Sequence, residues 1–456
     1  RLEYKWSVFG VIAIGTFVSV MDQTSVNLAL PRIADHFHAT LPTVQWVALG
    51  YILTTGALLL PMGRLSDIVG RKRIYVGGFG LFICGAILAG SSPLLLWLIL
   101  FKVIQGIGAA MVQSTGMAIV TSTFPSNERG KIIGLFMTVV GLGAIFGPIM
   151  GGMAVEFLGW RYVFFLGVPL GVTSILTALM VINDASAANL SLTLRHHGFD
   201  WVGASLFAAA LVIFLLVMTN AYRLGWFSSP VVASLGCAVA LVICFLLWEN
   251  RTQAPMLDLD LFSHRLFSYG TSSAFLVFLS ASSVFFLMPF YLQKILGYSP
   301  GQAGLIMTPG PMCYLVAGPI AGRLADKLGW RIFTLLGIAI MGVSLLILSQ
   351  LTETSDVKLV AAILAIQGVG MGTFYPPNTS SVLSTVKRLN YGIVTAFLHM
   401  VRNTAHVTGV GLATTIVTTL MGSRGYEPSL DVVSRTVEDD GLKTAYISMS
   451  GFILVA

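Results

Sequence analysis

Charged residues are scarce in this sequence. They make up 10% of its 456 residues, whereas 56% of the residues are hydrophobic and the mean hydropathy is +0.86. So few charges cannot solvate a soluble protein of this length, and the apolar residues fall in long blocks. The composition therefore excludes an ordinary soluble domain and predicts an all-α integral membrane protein.

Cysteines and catalytic motifs are scarce as well. The four cysteines all lie in apolar segments, where we interpret them as small packing residues, and their spacing indicates neither a metal site nor disulfides: Cys84, Cys237, Cys244 and Cys313. Gly106-Ile107-Gly108 is only a fragment of a dinucleotide-binding fingerprint and lies inside a predicted helix. We therefore expect no enzyme, no cofactor and no metal.

The apolar blocks predict membrane-spanning helices. A hydrocarbon core of about 30 Å needs roughly 20 helical residues. On that measure the sequence predicts fourteen helices, near residues 6–31, 43–62, 74–91, 94–123, 131–157, 160–182, 201–222, 230–250, 267–293, 301–321, 332–350, 358–386, 391–421 and 443 onward. The first apolar run has no cleavage site, so we interpret it as a spanning helix and not as a signal peptide. The last run is too short to span, and we expect the chain to be cut inside it.

The basic residues predict the orientation of the chain in the membrane. If the N-terminus lies inside, the inner segments carry about twice as many lysines and arginines as the outer ones. The sequence therefore predicts a cytoplasmic N-terminus. The formal net charge of +7 is then a topological signal, reinforced by anionic lipids, and no indication of nucleic acid binding.

Two polar segments occur twice along the chain. GRLSDIVGRKR at residues 63–73 returns as GRLADKLGWR at 322–331, and QGIG at 105–108 returns as QGVG at 367–370. Related halves with polar turns at matching places are typical of secondary transporters. The offset pairs predicted helices 1–6 with 9–14. It thus predicts a six-helix bundle over residues 1–182, an extra two-helix hairpin with its connectors over 183–266, and a second six-helix bundle over 267–456.

Several of these stretches resemble motifs of the major facilitator superfamily, in particular of its 14-helix drug:proton antiporters. The resemblance rests on the first glycine loop and on four further stretches: MDQTSVNLALP at 21–31, GAIFGPIMGG at 143–152, 160–169, and 291–300. It implies two pseudo-symmetric bundles, a plasma membrane location and a monomer. It also implies proton-driven export of amphipathic or lipophilic small molecules by alternating access. A transporter of one specific lipid or metabolite with the same fold is the alternative.

The repeated loop and the glycine-rich fifth helix are candidates for conformational change. In the loop, glycines allow tight turns while acidic and basic side chains can form a latch; the candidates are Gly63, Arg64, Asp67, Gly70, Arg71, Lys72, Gly322, Arg323 and Asp326. The alternative is a basic loop that only fixes topology. In predicted helix 5, glycines permit close approach of a neighbouring helix and a proline permits a bend. This segment either acts as a gating hinge or serves only helix packing. Its candidate residues are Gly143, Gly147, Pro148, Gly151 and Gly152.

Three ionisable residues fall well inside predicted spans: Asp22, Lys102 and Arg402. A charge in the bilayer usually marks a pathway or a partner, so all three are candidates for proton coupling. By helix rise, Asp22 and Lys102 lie roughly 13 Å and 12 Å below the outer helix ends, and so at one depth. The resemblance places their helices around one cavity, where the two charges can face each other. The family normally has arginine at position 102; a lysine removed from water can release its proton, so Lys102 either titrates or serves as a fixed counterion.

Predicted helix 13 carries a polar stripe. The spacing of His399, Arg402, Asn403 and His406 predicts one shared face. The histidines are either members of a proton path or satisfied hydrogen-bonding groups. For substrate contact, polar, aromatic and methionine side chains on predicted helices 1, 4, 9 and 12 are the candidates: Asn27, Gln113, Phe285, Met288, Tyr291, Tyr375 and Asn378. Because one acid faces two bases, anionic, neutral and cationic substrates all stay open. Glu156, near an outer helix end, is expected at the membrane interface.

Overall fold

The fold is all-helical in the residues that the structure, a computed structural model, describes: 2–124, 129–182, 200–225, 228–252, 259–386 and 391–423. The first eight α-helices are α1 Leu2–Phe37, α2 Leu41–Val44, α3 Trp46–Val69, α4 Arg71–Gly90, α5 Leu95–Thr123, α6 Arg129–Phe157, α7 Tyr162–Phe165 and α8 Val168–Val181. The next eight are α9 Trp201–Leu224, α10 Ser229–Glu249, α11 Arg265–Phe290, α12 Pro300–Met307, α13 Pro309–Leu328, α14 Trp330–Leu348, α15 Val357–Ser384 and α16 Tyr391–Ser423. A π-helical turn, Tyr291–Ile295, extends α11.

Twelve helices of the described residues are long and apolar enough to cross a membrane, and they coincide with predicted helices 1–12. The 33-residue α16 coincides with predicted helix 13. Predicted helix 14, from residue 443, lies outside the described residues. The described chain therefore supports an all-helical membrane protein, while a total of fourteen spans stays a prediction.

Some predicted helix boundaries near prolines are wrong. Helix α1 continues through Pro31 to Phe37 instead of ending at residue 31. Predicted helix 6 is interrupted between α7 and α8, and predicted helix 10 is divided at Thr308. Pro169 and Pro309 both occupy the first turn of the helix that follows, where a proline removes no internal hydrogen bond.

The helices of the two predicted bundles pack in matching patterns. In the first half, α1–α8, helix α5 packs along both α3 and α4; in the second half, α11–α16, helix α15 packs along both α13 and α14. The halves meet through α6 with α12 and α13, and through α3 with α16. We call the end of the bundle that carries the N-terminus the proximal end. The opposite end, where α1 and α6 finish and α5 and α12 begin, is the distal end.

Helices α9 and α10 pack on one another at the periphery. Phe207 and Phe245 place their rings 5.4 Å apart across this pair. The Asp200 carboxylate joins the proximal ends of both helices, because one of its oxygens accepts hydrogen bonds from the Gly203 amide and from Trp248 Nε1, each at 2.9 Å. Helix α9 also contacts α3 and α16. The pair therefore lies beside the α3–α16 contact between the halves, with α9 on the inner side.

Candidate functional site

A buried ion pair lies between α1 and α5. Lys102 Nζ is 3.1 Å from Asp22 Oδ2, and each side chain is only 1% exposed. The equal depth that helix rise predicted for the two charges is thus confirmed as direct contact. Because burying two charges is expensive unless they are paired and hydrogen-bonded, their surroundings decide what the pair can do.

The surroundings of the pair favour the ammonium group. Lys102 Nζ also donates to Gln105 Oε1 at 2.6 Å, and it lies 4.6 Å from the ring centre of Tyr51 and 5.5 Å from that of Phe164. Rings at such distances attract a cation through their negative faces. Tyr51 and Phe164 escaped the sequence analysis, since an aromatic residue in an apolar helix gives no signal of what it faces. Gln105 could have been found, because it lies one turn from Lys102 in the repeated QG pair.

The Asp22 carboxylate has fewer hydrogen-bond partners than the Lys102 ammonium group. Asp22 Oδ1 is buried and has no hydrogen-bond partner, and the same holds for the Tyr51 hydroxyl. A cavity of about 10 Å³ borders Tyr51, Lys102 and Gln23 beside them. A carboxylate with one unoccupied oxygen can accept a proton without first losing a hydrogen bond there.

Helix α6 presents its glycines to the helix that carries Asp22. A Cβ atom at Gly143 would lie 2.9 Å from Val20 Cβ, one at Gly147 2.9 Å from the Met21 carbonyl oxygen, and one at Gly151 2.6 Å from Ser25 Cβ; all three contacts are with α1. Gly152 instead contacts Pro300 and Gly301 at the start of α12, and the Pro148 carbonyl faces Gly304 of α12. The predicted hinge residues therefore join α1 to α6 and α6 to the opposite half.

Hydrogen bonds and an ion pair connect the halves at the distal end. Asp35 of α1 pairs with Lys294, and Gln293 Nε2 donates to the Leu28 carbonyl at 3.1 Å. Across the α3–α16 contact, Thr414 Oγ1 donates to Gln45 Oε1 at 2.6 Å. These contacts hold the distal ends of the two halves together.

Glu156 completes the distal closure from an exposed position near the end of α6, and its place at the membrane interface stays a prediction. Its Oε2 accepts hydrogen bonds from Ser299 Oγ and from the Gly301 amide, both at 2.9 Å. Both donors stand at the N-terminus of α12, where the helix dipole favours a negative charge. A carboxylate of the first half thus caps a helix of the second half.

The stripe on α16 is narrower than predicted. His399, Arg402 and His406 are half-buried on one face. Asn403 is buried on another face, where its Cβ lies 3.2 Å from the position of a Cβ at Gly56 of α3. Residues adjacent in sequence on a helix point about 100° apart, which separates Asn403 from Arg402.

Arg402 belongs to a cluster that spans three helices of the second half. It interacts electrostatically with His399 and His406 of its own helix and with Tyr314 of α13. Tyr314 interacts in turn with Tyr375 of α15. Tyr314 lies in a proline- and glycine-rich segment without a recognisable motif, so nothing in the sequence indicated it.

The predicted substrate-contacting residues differ in exposure. Asn27 and Gln113 are half-buried, Tyr375 is buried, and Phe285 is 38% exposed. Met288 and Tyr291 are enclosed by protein, and the Tyr291 hydroxyl donates to the Thr352 carbonyl at 2.8 Å. Asn378 is likewise buried and donates to the Gly270 carbonyl at 2.9 Å. Met288, Tyr291 and Asn378 are thus enclosed in this structure, Tyr291 and Asn378 form hydrogen bonds within the protein, and a substrate role for each of them stays a prediction.

The repeated loops turn at only one glycine each. Gly70 and Gly329 adopt φ values of 114° and 90°, which favour glycine, between α3 and α4 and between α13 and α14. Gly63 and Gly322 instead lie inside α3 and α13, so their predicted place in a turn is wrong.

Two basic side chains of the first loop, Arg71 and Lys72, form hydrogen bonds within their own half. Arg71 Nη1 donates to the Ala118 carbonyl of α5, and Lys72 Nζ donates to the Leu179 carbonyl of α8, each at 3.0 Å. In the candidate set, Arg64 is half-buried and Arg323 is exposed. The side chains of Asp67 and Asp326 lie outside the described residues.

Comparisons with known proteins agree with this architecture. Residues 12–248 and 270–427 match the Major Facilitator Superfamily. The riboflavin transporter RibZ of Clostridioides difficile (strain 630) is 33% identical over 411 residues, which cover 90% of this chain and 87% of RibZ. The tetracenomycin C resistance and export protein of Streptomyces glaucescens is 27% identical over 92% of this chain and 76% of its own length. A crystal structure of a bacterial homologue of the human lysosomal transporter Spinster, inward-facing and unoccupied, has a similar fold, with a TM-score of 0.68 at 14% identity over 99% of this chain and 95% of that one.

Proposed function

The chain belongs to the Major Facilitator Superfamily as a multi-pass membrane transporter, not an enzyme, and from that premise we propose that it exports amphipathic or lipophilic small molecules in exchange for protons. The observation that carries the proposal is the Asp22–Lys102 ion pair at 3.1 Å, buried between α1 and α5. An acid enclosed with one counterion is the arrangement in which a proton changes the local energy most.

Protonation of Asp22 is the proposed coupling step. A proton on Asp22 removes the attraction that holds Lys102 and leaves a buried ammonium without a counterion, which destabilises this arrangement of α1 against α5. The unoccupied Oδ1 gives the proton a place to bind. Proton uptake therefore favours the alternative state, and release of the proton restores the pair.

Alternating access would open and close the two ends of the bundle in turn. The distal contacts made by Glu156, Lys294 and Gln293 represent the state closed at that end. If the N-terminus lies in the cytoplasm, as the basic residues predict, the distal end is external and this state is closed to the outside. The repeated loops at the proximal end would then close when the distal contacts break.

The number and arrangement of the membrane-spanning helices are part of the same proposal. Helices α9 and α10 would form an extra hairpin between two six-helix bundles, and a final helix after residue 443 would bring the spans to fourteen. Their packing on each other and against the α3–α16 contact supports this arrangement. We further propose a monomer in the plasma membrane, surrounded by lipid, with protons and the small-molecule substrate as its partners.

One specific metabolite is the second candidate for the substrate. The observation that favours it is the 33% identity to a protein named as a riboflavin transporter, which spans nearly the whole of both chains. The chemistry of Asp22 and Lys102 would serve either substrate class. The choice between these two substrate classes therefore depends on the residues that contact the substrate and not on the ion pair.

Replacing Asp22 by Asn tests the proposal. Asn keeps the shape and a hydrogen-bonding group but cannot carry the proton, so uphill export in liposomes under an imposed proton gradient should be abolished while some ligand binding remains. Asp356→Asn is the matched control, because Asp356 caps α15 at the distal end and Asn caps helices equally well. If the Asp22 variant still accumulates substrate against its gradient, the proton carrier lies elsewhere, and His399 and His406 become the candidates.

A further inference from the structure

Arg402 brings an uncompensated positive charge into the interior of the second half. No hydrogen bond or ion pair joins it to another residue within the described ranges. The other two charges well inside the spans, Asp22 and Lys102, neutralise each other. A guanidinium is always protonated in proteins, so this interior has a permanent net positive charge. Evolution rarely leaves such a charge in a membrane protein without a function.

The groups beside Arg402 are hydrogen-bond donors and aromatic rings. His399 and His406 lie about one turn to either side of it on the same face, and His399 Nδ1 is shielded from solvent without a hydrogen-bond partner. Tyr314 and Tyr375 contribute two phenols. The Tyr375 ring also meets Phe278 of α11, with ring centres 5.4 Å apart. The cluster thus combines a fixed cation, unused donors and flat apolar surface, and its members include no carboxylate.

The cluster is separate from the proton site. Lys102 lies beside Tyr51 of α3, whereas Asn403, next to Arg402, lies beside Gly56 of the same helix. Five residues of helix correspond to about 7.5 Å. Arg402 is therefore roughly one and a half helical turns nearer the proximal end than Lys102. A ligand bound at Arg402 need not touch Asp22.

We propose that Arg402, with Tyr314 and Tyr375, binds a carboxylate group of the transported molecule, so that aromatic anions are the preferred substrates. The inference rests on the proposed transport function and specifies its substrate class. The guanidinium presents two parallel N–H groups that match the two oxygens of a carboxylate, and the phenols and Phe278 provide apolar contact for an attached ring. The ligand would supply the negative charge that the protein lacks at this place.

Matched ligand pairs test this assignment by equilibrium binding to the purified full chain in detergent. A panel of aromatic carboxylates, such as 2-naphthoate and biphenyl-4-carboxylate, is compared with the corresponding primary amides. At least one carboxylate should bind about tenfold or more tightly than its amide, since charge-assisted bidentate hydrogen bonds are the strong ones. A panel in which no carboxylate binds more tightly than its amide, including one with no binding at all, overturns the proposal.

Variants then assign the preference to Arg402. Arg402→Gln should bring the carboxylate-to-amide affinity ratio near one. Arg402→Lys keeps the positive charge but loses the two parallel N–H groups, so it should retain part of the preference for the carboxylate. Unchanged binding of the amide shows that the variants are folded. Arg251→Gln, at an exposed proximal position, is the control and should keep the wild-type ratio. A wild-type ratio in Arg402→Gln would refute the assignment.

Failure of the substrate assignment and failure of the transport proposal remain distinguishable. The binding experiment uses no gradient, and Asp22→Asn should keep the wild-type carboxylate preference because its site lies apart from Arg402. Proton-driven accumulation that is lost in Asp22→Asn while carboxylates and amides bind equally supports coupling and rejects the anion site. The reverse pattern rejects coupling and supports the anion site.

Discussion

Replacing Lys102 by Met should destabilise the protein in a pH-dependent way. Methionine fills a similar volume but leaves the Asp22 carboxylate, 1% exposed, without its counterion. An ionised acid in that position is unfavourable, whereas a protonated one is not. The loss of stability should therefore be greatest at high pH and should diminish as the pH falls.

The contacts of Lys102 set the magnitude. Breaking a buried ion pair by removing one partner typically costs about 3–5 kcal/mol. Gln105 Oε1 also loses its 2.6 Å hydrogen bond, which adds about 1 kcal/mol. In Asp22→Asn/Lys102→Met the uncompensated charge is gone and only the smaller losses remain, so the double variant should lose about 1–2 kcal/mol and be more stable than Lys102→Met alone.

Unfolding in mixed lipid–detergent micelles, followed by tryptophan fluorescence at pH 5 and pH 8, measures these differences. Lys102→Arg is the matched control, because it keeps the positive charge and should be nearly as stable as the wild type at both pH values. Two results would refute the reasoning. One is a Lys102→Met variant whose loss of stability is the same at both pH values, and the other is a double variant as unstable as the sum of the single ones.

Two further substitutions test the contacts between helices. Gly147→Ala places a Cβ against the Met21 carbonyl and Thr24 of α1, and should destabilise the protein by about 1–3 kcal/mol in the same unfolding assay. Gly236→Ala is the control, because Gly236 has open space around it and the substitution should be neutral or slightly stabilising. Equal effects of the two substitutions would contradict the close α1–α6 contact. Glu156→Gln removes the charge at the start of α12 and should shift the equilibrium toward a state open at the distal end by about 0.5–1 kcal/mol. The shift is measured as a longer distance between spin labels at the distal positions 91 and 354. An unchanged distance distribution would contradict the capping role.

The sequence predicted the helices well because hydropathy reports length along the chain. Twelve described spans lie where the apolar blocks placed them, and the depth of Asp22 and Lys102 followed from counting residues. Both inferences use only position along a helix axis. The error at Pro31 has the same origin, since a composition signal does not show whether neighbouring helices support a proline within a helix.

Rotation about the helix axis was much harder to predict. Lipid and protein interior are both apolar, so an apolar helix carries little signal of which face meets which. Met288 and Tyr291, which the sequence suggested for substrate contact, are enclosed by protein in this structure, while Tyr51 and Phe164 were overlooked and lie beside Lys102. Polar spacing helped on α16, where three of the four residues share a face, but it could not separate Asn403.

Contacts between the halves could not be predicted because they join residues far apart in sequence. Glu156 contacts Gly301, 145 residues away, and Gln45 contacts Thr414, 369 residues away. A single sequence gives no information on such pairs beyond the helix ends at which the residues occur. An isolated carboxylate near a helix end is common at a membrane surface, and only the fold shows that this one caps an opposing helix.

Helix α1 links the Asp22–Lys102 ion pair to the distal closure. Asp22 faces α5, while Met21, Thr24 and Ser25 on the neighbouring face touch glycines of α6, which bring no side chain of their own to the contact. Close packing of this kind is resistant to sliding, so a displacement of α1 after the loss of the ion pair must also move α6. Helix α6 ends at Glu156, and α1 itself carries Asp35; both bind the second half at the distal end. A proton on Asp22 can therefore act on the distal contacts through two packed helices, without any movement of the ligand.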